Sequence, residues 1–402
     1  MIAQKGTEIP TGETAGPRLK IAYLCDQDPK DPHTYSGGNA RLYNTIQAHV
    51  GDVHILNQSW YWAEPIRWLV KRMPLAIVMR AQWRLHLAFA PIIARGVRKE
   101  LAKGDFDVIF GVYSFHSLYK LRPPKKTLTV YTADAAPTPY KNSVIGENFG
   151  SFWSASRRLD PLILNAEKEV FQKTDLMFWP SQWLKEEADT LYKLSHESSI
   201  HVTWGANIVS PDAETTPLAL TTDKPIELLM IGRNWYAKGG PISYETMQIL
   251  REKGLDARLT VIGCTPPEEC RSDHMTVHPN IDKSIPEQLK IFTNALRSAH
   301  FFVMPSFESF GFVFCEASAY GLPSLCYRIG GVPVRDGING HAFPVGTDVA
   351  SFAAKILHYL DHPNDYAALR QNSRKEFDDH LNWRVWGQKV LHHIKQALKK
   401  KQ

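Results

Sequence analysis

The stretch Met304-Pro-Ser-Phe-Glu-Ser-Phe-Gly-Phe-Val-Phe-Cys-Glu-Ala-Ser-Ala-Tyr-Gly-Leu-Pro323 sets two carboxylates, Glu308 and Glu316, eight positions apart around a Phe-Gly step. The apolar run Phe301-Phe302-Val303-Met304 leads in and reads as a strand. Residues 313–320 lead out and read as a helix, stopped by Gly321 and Pro323. A strand therefore feeds a loop, and the loop feeds a helix N-terminus. The unpaired N–H groups and the positive dipole end at such a junction form a ready phosphate site. An acid on each side, poised for hydroxyl groups, suggests a sugar nucleotide.

The same alternation extends outward. Upstream, 226–231 reads as a strand, 242–253 as a helix, 259–262 as a strand and 286–299 as a helix. Downstream, 324–327 is the last clear strand, and 383–400 reads as a helix with a basic end. The first half repeats the theme. Strands are expected at 19–25, 53–56, 106–110, 128–132 and 175–179, with helices at 39–50 and 91–101. Pro74 and Pro91 are expected to break any single long helix between them. Strands alternating with helices imply α/β architecture with parallel sheets covered on both faces.

Residues 208–223 interrupt the pattern with Pro, Thr, Ser and Asp, and read as an interdomain linker. The expected division is a tail at 1–18, a Rossmann-like domain at 19–208 and a linker at 209–224. A second Rossmann-like domain at 225–382 follows, then a C-terminal helix at 383–402. Ligands of such sheets bind beyond the strand C-termini, which places the site in a cleft between the domains.

Composition narrows the class. The chain has 402 residues, 44% of them hydrophobic and 22% charged, as in ordinary soluble globular proteins. No apolar run is long enough to cross a bilayer. The stretch 1–18 is polar, without the apolar core of a secretory signal. Five cysteines without C-x-x-C pairing fit buried thiols in a reducing compartment and argue against a Cys-based zinc site. The expectation is a cytoplasmic protein. The net charge of +6 is concentrated: 64–103 holds nine basic residues against two acids, Glu64 and Glu100. No nucleic-acid recognition motif accompanies it, so nucleic acid is not an expected partner.

Five elements, in order, carry a resemblance to a known family. They are Gly37-Gly38, Trp204-Gly205-Ala206-Asn207, Gly232-Arg233 followed by Lys238-Gly239, the Glu308-to-Glu316 element, and Gly330-Gly331-Val332-Pro333 followed by 336–340. The chain resembles a retaining glycosyltransferase of family 4 from about 19 to 353. The resemblance implies the GT-B fold, in which two Rossmann-like domains face each other across a cleft: an acceptor-binding domain at 19–208 and a nucleotide-sugar-binding domain at 225–382, with the C-terminal helix at 383–402 returning to the first. It implies transfer of a hexose from a UDP- or GDP-linked donor to a saccharide or glycolipid acceptor. It also implies that Glu308 contacts hydroxyls of the transferred sugar, and that retention follows from attack on the leaving-group face, with the leaving phosphate assisting proton removal.

The residue chemistry agrees with those expectations. Arg233 and Lys238 are cations for a diphosphate, Arg as a fork and Lys as a point charge. Together they stabilise charge developing on the leaving group, and no divalent metal is expected. Gly37, Gly38 and Gly232 allow close backbone approach to phosphate. The N–H groups of Phe310, Gly311, Phe312 and Val313 are expected to line the donor. Glu316 lies roughly 7–8 Å farther along the axis at ~1.5 Å per residue and is assigned to the ribose; as a helix acid it is also favoured by the dipole.

The sequence departs from the family pattern in two places, one on the acceptor side and one in a loop that shapes the donor site. The fourth strand ends Tyr131-Thr132-Ala133-Asp134, where much of the family has Thr-x-His-Asp. Asp134 either orients a reacting hydroxyl or caps a helix. His116, after the preceding strand, is either a cleft residue or structural. The glutamate usual after Gly-Gly-x-Pro is replaced by Val334-Arg335-Asp336. Aromatic residues interleave with the basic cluster at Arg67, Trp68, Lys71, Arg72, Arg80, Trp83 and Arg84. That mixture suits an anionic membrane surface or a polyanionic lipid-linked acceptor, and arginines on a wet helix face are the ordinary alternative. A non-catalytic sugar-nucleotide-binding scaffold in a polysaccharide assembly complex is the alternative function, distinguished by donor binding without turnover.

Overall fold

The computed structural model describes residues 17–31, 34–57, 59–73, 75–148, 158–208 and 218–401. Most of the expected tail and the first half of the expected linker lie outside these residues.

The first sheet contains β1 (Leu19–Leu24), β2 (Gly51–Ile55), β3 (Val108–Val112), β4 (Leu128–Thr132), β5 (Leu176–Trp179) and β6 (Ser199–His201). Its order is β2-β1-β3-β4-β5-β6, and every pairing is parallel. The second sheet contains β7 (Ile226–Ile231), β8 (Ala257–Ile262), β9 (Met275–His278), β10 (Phe301–Val303), β11 (Ser324–Tyr327) and β12 (Gly340–Phe343). Its order is β12-β11-β10-β7-β8-β9, also all parallel. Strands β3 and β4 are buried at every position, as expected for sheets covered on both faces.

Strand order reverses once in each sheet, between β1 and β3 and between β10 and β7. Crossover helices diverge at these points and leave a crevice beyond the strand C-termini. The segments emerging at the first crevice begin at Cys25 and Tyr113; those at the second begin at Gly232 and Met304.

Three sequence expectations are corrected. Leu75–Leu101 is one continuous helix through Pro91. Ala90, Ile93, Ala94 and Val97 are all buried along it, and that packing outweighs the roughly 3 kcal/mol cost of an interior proline. The strand expected at 106–110 forms two residues later, at Val108–Val112. The strand Ser324–Tyr327 is not the last: β12 pairs with it, fixed by Asp336, whose Oδ1 accepts the Ala342 N–H at 2.7 Å.

The C-terminal helix Trp383–Lys401 packs against the helix Gly38–His49 of the first sheet. Lys401 at its far end reaches Asp175, at 2.8 Å. Trp204, fully buried, gathers Phe310, Phe312 and Trp383 around it, with centroids 5.6, 5.7 and 6.1 Å away. This cluster couples the two sheets.

Candidate active site

The segment after β7 begins with Gly232. A Cβ at that position would lie 2.3 Å from Lys238 Cγ, so only glycine lets the lysine fold back over the strand end. Lys238 Nζ donates to Glu308 Oε1, and Ser306 Oγ donates to the same oxygen at 3.0 Å. Glu308 rides the segment leaving β10. Cation and carboxylate therefore meet at the reversal point of the second sheet. Arg233 stands apart: it is exposed and makes no salt bridge among the described residues.

Gly311, at φ 85°, caps the helix Phe312–Ala319 in the left-handed region that glycine tolerates. The turn aims the first N–H groups of that helix, from Phe312 and Val313, toward the crevice, where the helix itself offers them no acceptor. The Phe312 ring stacks on Trp204 with 6° between planes, and Phe310 is 1% exposed. Both rings support the turn.

Ser309, beside Glu308, donates from Oγ to Asp134 Oδ2 at 2.9 Å across the cleft. Asp134 follows β4 of the first sheet. Burial raises its pKa above the ordinary carboxylate value, Glu308 adds to the shift and the Ser309 hydrogen bond opposes it. Asp134 thus faces the same space as Glu308 and Lys238, and no side-chain cap joins it to the helix that follows.

Glu316 is almost fully buried and paired. Lys283 Nζ donates to its two carboxylate oxygens at 2.8 and 3.0 Å, resting 4.0 Å over the Phe292 ring. Arg41, one turn into the helix Gly38–His49, faces it electrostatically from the other sheet: burial lowers the Arg41 pKa while the Glu316 charge opposes the shift. Sequence reasoning missed Lys283 and Arg41. Lys283 lies in a loop without motif, 33 positions from its partner.

The Gly37-Gly38 step meets the same helix turn from the opposite domain. Gly37 has φ 83°, and a Cβ on Gly38 would lie 2.2 Å from Tyr113 Oη and 2.9 Å from Phe312 Cζ. His116 is not at the cleft surface. It is 5% exposed, and its Nε2 lies 3.3 Å from Asp26 Oδ2.

The basic aromatic segment divides. Arg67 is buried, and its Nη2 donates to the Asp26 carbonyl at 2.9 Å, so it belongs to the interior and not to a surface. It faces inward with Ala63 and Val70 because three- and four-residue steps share a helix face. Lys71 and Arg72 are exposed, and the Arg72 guanidinium sits 3.4 Å over the exposed ring of Trp68. Arg84 is half-buried. The side chains of Arg80 and Trp83 lie outside the described residues. No described helix is long and apolar enough to cross a membrane.

Comparison with known proteins bears on this arrangement. Residues 225–362, which carry Gly232, Lys238, Glu308 and Glu316, match the family model "Glycosyl transferases group 1". The match lies within the second domain. It is accompanied by a whole-chain likeness in fold. The sucrose-phosphate synthase of Thermosynechococcus elongatus superposes with a TM-score of 0.62 at 20% identity, covering 95% of this chain and 100% of that one. The fold is GT-B, as the sequence implied.

Among curated proteins, the D-inositol 3-phosphate glycosyltransferase of Corynebacterium kroppenstedtii is 24% identical over 213 residues, 46% of each chain. The GDP-mannose-dependent alpha-(1-6)-phosphatidylinositol monomannoside mannosyltransferase of Mycolicibacterium smegmatis is 28% identical over 183 residues, 42% of this chain and 47% of that one. The chain thus spans about half the length of these relatives.

Proposed function

We propose that the protein transfers a hexose from a UDP- or GDP-linked donor to a saccharide or glycolipid acceptor, with retention of anomeric configuration. The observation that carries this reading is the meeting of Lys238, Glu308 and the Ser309–Asp134 bridge at the N-terminus of the helix Phe312–Ala319. The donor diphosphate lies against that N-terminus, the Gly37-Gly38 step and Lys238, with Arg233 closing from the exposed side. Glu308 holds hydroxyls of the transferred sugar, and Glu316, flanked by Lys283 and Arg41, takes the ribose.

In the reaction the bond between the anomeric carbon and the diphosphate oxygen breaks as the acceptor oxygen bonds to the same carbon and face. The acceptor proton passes to the leaving diphosphate. Lys238 neutralises charge as it develops there, which lowers the barrier because the ammonium is already in position. Asp134, at the acceptor edge, orients the incoming hydroxyl. No metal takes part. Two named relatives, a GDP-mannose-dependent mannosyltransferase and an inositol phosphate glycosyltransferase, support the substrate class. The test is a panel of labelled UDP- and GDP-hexoses with product anomers read by NMR. Inverted product, or donor binding without transfer to any acceptor, counts against the reading.

The acceptor is proposed to be reached at the inner face of an anionic membrane. The turn Tyr61–Ala63 runs straight into the helix Glu64–Lys71. Trp62, Ile66, Leu69 and Met73, spaced along one helical face, are 64, 37, 55 and 39% exposed. Lys71 and Arg72 accompany them. An apolar face with flanking cations suits an anionic interface, at about 1 kcal/mol per cation. Co-sedimentation with anionic vesicles, lost in Leu69→Asp and weakened by salt, is expected; equal binding to neutral vesicles contradicts it.

A further inference from the structure

The reversal point of the first sheet holds a buried cluster that the proposed reaction does not use. Asp26, just past β1, is 7% exposed. Ser114 Oγ donates to its Oδ1 at 2.6 Å, Tyr35 Oη donates to the same oxygen at 2.9 Å, and His116 Nε2 lies 3.3 Å from Oδ2. The Asp26 N–H donates back to Ser114 Oγ at 3.0 Å, and Arg67 holds the Asp26 carbonyl. Burial alone would raise the carboxyl pKa, yet His116, Ser114 and Tyr35 hold it well below the usual range. A buried carboxylate needs such partners to remain ionised.

Of these partners, Tyr35 belongs to the turn that delivers Gly37-Gly38 to the cleft. Tyr35 and Ser36 have φ of 50° and 54°, followed by Gly37 at 83°, three consecutive left-handed residues of which two carry side chains. A residue with a side chain is strained in that region, because its Cβ crowds the backbone carbonyl. The turn persists because it is held from several sides. The Tyr35 ring stacks on Tyr113 at 4.0 Å with 3° between planes, and Asn207 Nδ2 donates to the Ser36 carbonyl at 2.9 Å. The remaining tie, Tyr35 Oη to Asp26, connects the turn to the strand end. Tyr113 in turn bears on Gly38, where the Tyr113 hydroxyl and the Phe312 ring occupy the space a side chain would need.

We infer that Asp26 is a positioning residue for donor binding: through Tyr35 it locks the strained 35–37 turn in the shape that presents the Gly37-Gly38 backbone to the donor diphosphate. The inference rests on the donor assignment above and deepens it. Asp26 touches neither donor nor acceptor. Its effect is preorganisation, since a turn already strained into place pays no ordering cost when the ligand arrives.

The experiment compares wild type with Tyr35→Phe and Asp26→Asn, using UDP- and GDP-hexose as probes and hydrogen exchange over 34–38 without ligand. Tyr35→Phe removes one hydroxyl and keeps the stacked ring, so it is the variant that folds even if Asp26→Asn does not. Expected are faster exchange in the turn, a donor KM raised about tenfold and kcat changed less than about threefold, with Asp26→Glu restoring part of the affinity. A kcat loss with KM unchanged, or unaltered turn exchange, marks a merely structural carboxylate and overturns the inference. A wild type that binds no sugar nucleotide instead overturns the donor assignment, so the two failures are told apart.

Discussion

Glu316 shows how far a residue's neighbours decide its part. A carboxylate buried to 2% exposure is tolerated because Lys283 supplies an ammonium at 2.8 and 3.0 Å. Removing the ammonium leaves the charge with the more distant Arg41 alone, and breaking a fully buried pair costs about 3–5 kcal/mol. Lys283 is 39% exposed, so water screens part of that loss. Lys283→Ala is expected to lower stability by about 1–3 kcal/mol, and adding Glu316→Gln to restore most of it; a double-mutant cycle in urea reads both. Glu167 presents the opposite electrostatics. Burial pushes its pKa up to about 7 from an ordinary 4.5, although it accepts hydrogen bonds from the Thr138 N–H and hydroxyl. The folded state therefore binds more protons than the unfolded state between those values. Stability falls as pH rises through that window, by up to about 3 kcal/mol. Glu167→Gln is expected to flatten that dependence in denaturant titrations between pH 4.5 and 7.

Elements set what a sequence makes visible. Strands β7 and β11 were legible to the residue, because short apolar runs ended by Gly or Pro leave little freedom in their bounds. The placement of Glu308, Glu316 and Lys238 near strand ends and a helix start was legible because strand, turn and helix signals bracket them within a few positions. Lys283, Arg41 and the Ser309–Asp134 bridge were not. The last joins positions 175 apart, and no local pattern encodes such a meeting. Arg67 misled for a related reason: an arginine among tryptophans reads as surface until the helix phase turns it toward Asp26. The helix through Pro91 shows burial overriding propensity. The same logic governs the Trp204 cluster, where one ring supports the turn that aims the Phe312–Ala319 helix. Trp204→Ala is expected to cost about 3–5 kcal/mol, read as a loss of unfolding free energy. A loss below about 1 kcal/mol contradicts its role as the joint between the sheets.

At the scale of the molecule, two parallel sheets each reverse order once, and the reversal points face one cleft. The second carries the groups assigned to the donor; the first carries the turn that meets them and the buried carboxylate that holds it. The C-terminal helix returns to the first sheet and spans the joint, so the halves are tied at the cleft and behind it. Lys238 and Glu308 are proposed to form the donor site of a glycosyl transfer. Single-turnover transfer from the labelled donor that wild type prefers, compared with folded Lys238→Ala and Glu308→Ala, tests it most directly. Transfer is expected to fall by about 10²–10³ in each variant. Wild-type rates in both would remove Lys238 and Glu308 from the donor site.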